Sequence, residues 1–206
     1  AALRLCLNIL MLLLCCVPVF TGCQRPPSKT TAPLKPYSTL TVNRLSQLSY
    51  FRVSGKVAFR QGETGGQAKY IWQQTGNDFT LQLMNPFGGE EARLSFNQGK
   101  YSLALPNKPL QHSNSIESLF KENLGWSAPV AHLPYWIKGI PLPTVPHNVR
   151  YTAEGSRVLI QDGWTITYST VEWIDGLPLP QAMTLERTDL PDGAARLRMI
   201  LHWSLE

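Results

Sequence analysis

Between positions 79 and 96 the chain reads FTLQLMNPFGGEEARLSF, with apolar residues in every second place. They fall at Phe79, Leu81 and Leu83, and again at Ala92, Leu94 and Phe96. A period of two sends alternate side chains to opposite faces, so each run predicts a strand with one apolar and one polar face. Between the runs, Asn85-Pro86-Phe87-Gly88-Gly89 predicts a chain reversal, because Pro86 fixes φ and the glycines accept positive φ. Turn tips are normally polar, and Phe87 breaks that rule. Two readings stay open at this point: Phe87 folds back over the core, or it projects as an apolar finger toward a membrane or an apolar cargo.

The same period recurs on both sides. Phe51, Val53, Val57 and Phe59 alternate with Arg52, Ser54, Lys56 and Arg60; Ala68, Tyr70 and Trp72 mark a second strand, and Tyr101, Leu103 and Leu105 a fifth. Gly-rich turns at 61–66, 74–78 and 97–99 join them into an antiparallel meander. At 113–124 the period lengthens. Ile116, Leu119, Phe120 and Leu124 share one helical face, Asn114 with Glu117 resembles a capping box, and Gly125 suits the stop. A further short helix is expected from Pro134 through Tyr135, Trp136 and Ile137 to Gly139, and an earlier one at 39–48 on Val42, Leu45 and Leu48. Strands resume at 149–152, 158–161, 164–168, 182–187 and 195–205. Asp162-Gly163 is a hairpin signal, and the inward set includes Met183, Leu197 and Met199. The fold expected is mainly β, with roughly ten to eleven antiparallel strands, too many to stay flat. Two mid-chain helices cover only part of the apolar face, which leaves a candidate cavity beneath them.

The head of the chain is different. Residues 5–20 are nearly all apolar, follow Arg4, and end in Phe20-Thr21-Gly22-Cys23, which predicts a secretory signal peptide over 1–22. The chain begins without Met, so its start is read as incomplete. Thr-Gly-Cys resembles the lipobox of bacterial lipoproteins, with Phe20 in place of the usual Leu. That resemblance implies lipidation of Cys23, and Gln24 after it implies sorting to the outer membrane. Residues 23–38 carry four prolines among Ser, Thr and Lys and are expected to be a tether; the globular domain is expected over 39–206. Cys6, Cys15 and Cys16 lie in the leader, so no disulfide is expected in the mature domain.

Charge and chemistry narrow the function. The net charge of the chain is +5, modest enough to suit an acidic partner or an anionic lipid surface. No Lys/Arg run marks a nucleic-acid arm, so a nucleic-acid partner is not expected. His112, His132, His147 and His202 share no metal-ligand spacing. Residues 125–129 lack the closing Gly of a nucleophile elbow, and Glu90 and Glu91 point to opposite faces of a strand. Neither an enzyme nor a metal or cofactor is expected.

Four further segments carry a resemblance. Residues 48–59, Ile71-Trp72-Gln73-Gln74-Thr75-Gly76, Leu83-Met84-Asn85-Pro86-Phe87-Gly88 and Trp136-Ile137-Lys138-Gly139-Ile140-Pro141 resemble, in order, the LolB family of outer-membrane lipoprotein receptors. The likeness runs from about Thr39 to the C-terminus. It implies a curved, unclosed antiparallel β-barrel with helices as a lid over an apolar cavity. It also implies a protein held on the periplasmic face of the outer membrane through Cys23, which accepts lipoproteins from the periplasmic carrier LolA and inserts their acyl chains into the inner leaflet. The family's projecting residue, usually Leu, falls on Phe87, flanked by Pro86 and Gly88. The residues expected to meet acyl chains are Tyr70, Trp72, Leu81, Leu83, Leu94, Phe96, Trp136, Met183, Leu197 and Met199. A carrier or sensor for another lipid or glycolipid on the same fold, and a regulatory or scaffolding lipoprotein, are the alternatives.

Overall fold

A computed structural model describes residues 34–126 and 128–205; the signal-peptide reading and Cys23 fall outside them. Residues Ala32–Glu206 make one compact unit. Its eleven strands are β1 (Tyr50–Gln61), β2 (Thr64–Thr75), β3 (Asp78–Met84), β4 (Glu90–Asn97), β5 (Lys100–Ala104), β6 (Gln111–Ser113), β7 (His147–Tyr151), β8 (Arg157–Gln161), β9 (Trp164–Ile174), β10 (Leu177–Arg187) and β11 (Ala195–Leu205). They form a single sheet in the order β6-β5-β4-β3-β2-β1-β11-β10-β9-β8-β7. Every pairing is antiparallel. The two outermost strands, β6 and β7, do not pair with each other, so the barrel stays open. Inward side chains from β1 to β5 and from β8 to β11 nonetheless join one core. A flat sheet of this width could not bring them together, so the sheet curls.

The chain between the two edges supplies most of the cover: α2 (Ile116–Leu124), a 3₁₀ turn (Val130–His132) and α3 (Leu133–Trp136). The cap of α2 differs from expectation. Ser115, not Asn114, occupies the N-cap and accepts from Ser118 N, while the Glu117 carboxylate accepts from Ala131 N at 3.3 Å. Glu117 therefore ties the helix to the next turn instead of closing its own first one. Gly125 ends α2 at φ +78°, as a left-handed cap requires.

The earlier helix, α1 (Thr39–Gln47), covers a second, smaller core of Leu45, Ile140, Leu177 and Leu179. Those last two residues reveal a longer hairpin than the alternation predicted. β10 begins at Leu177 rather than 182, and β9 runs on to Ile174, with the turn at Asp175-Gly176. Pro178 and Pro180 disguise the strand, since proline cannot donate to a ladder. A register irregularity between Pro180 and Ala182 accommodates the break. Residues 34–38, expected as tether, pack on the barrel: Leu34 is buried and its N–H donates to Gly155 O at 2.9 Å.

Candidate lipid-binding interior and exposed loop

The lid is pinned to the sheet by polar side chains facing inward from β8 and β9. Trp136 is fully buried, and its Nε1 donates to Gln161 Oε1 at 2.8 Å. The Gln161 amide also receives from Leu142 N and donates to Leu142 O and Val145 O. Tyr168 Oη donates to Trp136 O at 2.8 Å. Arg157, only 3% exposed, donates to Gly139 O. Its guanidinium lies 4.7 Å from the ring centre of Tyr37 and 5.6 Å from that of Tyr168. Gly139 has φ +76° and its α-hydrogen side abuts Pro180 and Tyr37, so a Cβ there would be strained and crowded. Burial pushes the Tyr37 hydroxyl up to about 12 and raises Tyr168 further.

Lys138 closes the lid's far end. Its Nζ donates to Leu48 O at 3.0 Å, beside the rings of Tyr135 and Phe51. Burial, with no carboxylate alongside to offset it, pulls its pKa down to about 8. The sequence reading missed Arg157, Gln161 and Lys138 as lid fasteners. A signal existed for two of them: Arg157, Leu159 and Gln161 share one parity in β8, which puts polar residues at inward positions.

Beneath the lid lies a small enclosed space lined only by apolar and aromatic side chains. Tyr70 and Trp72 from β2, Leu81 and Leu83 from β3, and Leu197 and Met199 from β11 face Phe120, Trp126, Val130 and Leu133. The space they enclose is about 30 Å³, a tenth or less of the volume of ordinary ligand pockets. The expected cavity is thus present but nearly filled by the lid's own side chains. Trp126 stacks on Phe59 at 4.1 Å and meets Phe120 edge-on at 4.8 Å. Leu94, Met183 and Trp136 are buried in the same core without bordering this space. Phe96 is half-buried against Tyr101 at 4.7 Å and lines a separate cleft of about 200 Å³ with Lys138 and Tyr135.

Phe87 is 98% exposed, which decides between the two readings of the 85–89 turn in favour of a projecting side chain. The turn is braced from below. Asn85 Oδ1 accepts from both Phe87 N and Gly89 N at 3.0 Å. Gly88 N donates to Asn85 O, and Asn85 N to Gly89 O, each at 2.9 Å. Gly88 takes φ +95°, and a Cβ on Gly89 would stand 2.8 Å from Asn85 Nδ2. Pro86 and both glycines are exposed and offer Phe87 no apolar shelter. Among the described residues no group of His, Cys, Asp and Glu is placed to hold a metal ion.

An unclosed antiparallel barrel, capped by helices over a largely apolar core, defines the class of fold. Within it, this chain belongs to the LolB family: the sequence profile described as outer membrane lipoprotein LolB matches residues 49–203. The outer-membrane lipoprotein LolB of Pseudomonas fluorescens is 33% identical over 151 residues, covering 72% of this chain and 73% of that protein. The Pseudomonas aeruginosa protein of the same name is 32% identical over 148 residues, or 71% and 72% of the two chains. Among solved structures, a LolA superfamily protein from Nitrosomonas europaea aligns over 83% of this chain and 94% of its own, at 8% identity and a TM-score of 0.49, too distant to bear on function.

Proposed function

We propose that this protein is the outer-membrane receptor of lipoprotein localisation, taking acylated lipoproteins from the periplasmic carrier LolA and releasing them into the membrane. The observation that carries this reading is Phe87, a fully exposed apolar side chain on a braced turn. Acyl chains need such a host. Each buried methylene is worth about 0.8 kcal/mol, so a multi-chain anchor does not cross water unaided. The interior offers contacts without directional bonds, and Met199 adapts to irregular contents. No bond is made or broken. The chains move to a better apolar host, and Phe87 opens the way by entering the bilayer first.

Chains enter between lid and sheet, displacing Phe120, Trp126, Val130 and Leu133 from the inward faces of β2, β3 and β11. Cys23 carries the lipid that keeps the receptor at the periplasmic face. The test separates the two steps: transfer of a labelled lipoprotein from carrier to receptor in solution, then from receptor to liposomes. Failure to take any lipoprotein from the carrier overturns the reading.

A further inference from the structure

The outer face of the sheet breaks a rule of strand pairing. Like charges directly opposite on neighbouring strands are destabilising. Yet Lys56 of β1 stands opposite Lys69 of β2, and Arg60 of β1 opposite Arg196 of β11. Arg198 and Arg52 share this face. The three central strands β2, β1 and β11 thus carry six cations, all exposed, and no Asp or Glu. Among the described residues only Arg196 of the six has a carboxylate partner, Glu186 of β10 at 3.3 Å. The remaining acids nearby lie at the rim: Glu63 in the β1–β2 turn, Asp189 and Asp192 in the adjoining β10–β11 turn, paired with Arg187 and Lys121, Glu90 paired with Arg93, and Glu91.

Register places this stripe beside the finger. Lys69 pairs with Met84, the last residue of β3 before the 85–89 turn. Arg60 pairs with Gly65, further along β2 toward the same end. The Phe87 turn and the Arg60/Arg196 pair therefore share one rim of the barrel.

We propose that the convex face of β2, β1 and β11 is a docking surface for anionic phospholipid headgroups, which seats the barrel on the bilayer with the Phe87 rim downward. Sheets of lipid phosphate neutralise the opposed cations and remove the repulsion that the free protein bears. A protein partner fits less well. Protein interfaces put apolar residues at the centre and charge at the rim, whereas here charge occupies the centre. Flexible, unpaired Lys and Arg side chains suit a diffuse headgroup layer, and each adds about fivefold to its affinity. The membrane identity rests on the receptor reading; the surface itself does not.

The test uses the Ala32–Glu206 unit, which lacks the apolar head, in flotation with vesicles of phosphatidylcholine alone or mixed with phosphatidylglycerol. Binding is expected only to the mixed vesicles and is expected to weaken with salt. The Lys56→Gln/Lys69→Gln and Arg60→Gln/Arg196→Gln pairs should each lose about 25-fold. Their melting temperatures should hold or rise, since a repulsion is removed. Arg150→Gln, on the exposed edge strand β7, should bind as wild type. Equal binding to both vesicle types overturns the proposal, as does an Arg150→Gln loss matching that of Arg60→Gln alone. Capture of polyglutamate with no vesicle binding would give the face to an acidic protein instead. Carrier-to-receptor transfer in solution involves no vesicle, so its failure would strike the receptor reading and leave this surface standing.

Discussion

The Tyr70 hydroxyl of β2 reaches across β1 to donate to the Ile200 carbonyl of β11, 2.9 Å away. The strand it crosses presents Gly55, the partner of Tyr70 in the β1–β2 register. A Cβ on Gly55 would stand 1.9 Å from that same carbonyl oxygen and 3.3 Å from the Tyr70 ring. The close approach of three strands here depends on one missing methyl group. Gly55→Ala should lose more than about 3 kcal/mol, beyond the usual range for an overpacked core. Tyr70→Phe, which keeps the ring and drops the bond, should lose about 1 kcal/mol. Urea unfolding of both variants checks the order; an Ala variant as stable as wild type would refute the crossing.

Phe87→Glu should melt within about 0.5 kcal/mol of wild type, because nothing packs on the side chain. It should still take lipoprotein from the carrier and then fail to deliver, since a carboxylate resists entry into hydrocarbon. Phe87→Leu should deliver normally. Melting, carrier transfer and liposome transfer must be read separately, and normal delivery by the Glu variant would remove the finger from the mechanism.

Trp126→Ala should cost up to about 3–5 kcal/mol, the price of truncating a buried aromatic. It should also enlarge the space under the lid, so that a fluorescent fatty acid binds faster and tighter than to wild type. Unchanged uptake would mean chains do not enter beneath Trp126.

Lys138 gives a pH signature. Its folded pKa is about 8 against 10.5 ordinarily. Between those values the unfolded lysine still holds the proton that the folded one has shed, so stability rises with pH. From pH 8 to 9, before the tyrosines titrate, the gain is on the order of 1 kcal/mol. Above about 10 the trend reverses, because burial keeps Tyr37, Tyr70 and Tyr168 protonated in the fold while unfolded tyrosines ionise. Lys138→Met should be more stable at pH 7 and lack the rise between 8 and 9. A wild-type curve that is flat there would contradict the burial of this charge.

Much of this architecture was legible because alternation survives in most strands and reports which face is inward. β1, β3 and β11 could be read residue by residue. β10 could not, since Pro178 and Pro180 mimic a loop and only the pairing with β9 reveals a strand. The exposure of Phe87 was not decidable from its neighbours, because the brace comes from Asn85 Oδ1, a side chain whose direction no pattern encodes. The ten interior residues shared one apolar signal. Nothing in that signal told Leu81, which borders the enclosed space, from Leu94, which is plain core.

The filled interior bears on how tightly cargo is held. On the proposed route of acyl chains beneath the lid, Phe120 and Trp126 would act as a resident competitor, covalently part of the host and always at hand. An incoming acyl chain gains only the difference between its own contacts and those it evicts, and its apparent affinity falls by the fraction of time the lid stands open. A host with a ready-made void would grip its cargo and keep it. On the proposed route, this one would take a chain and still let it go, because its own aromatic side chains reclaim the vacated space.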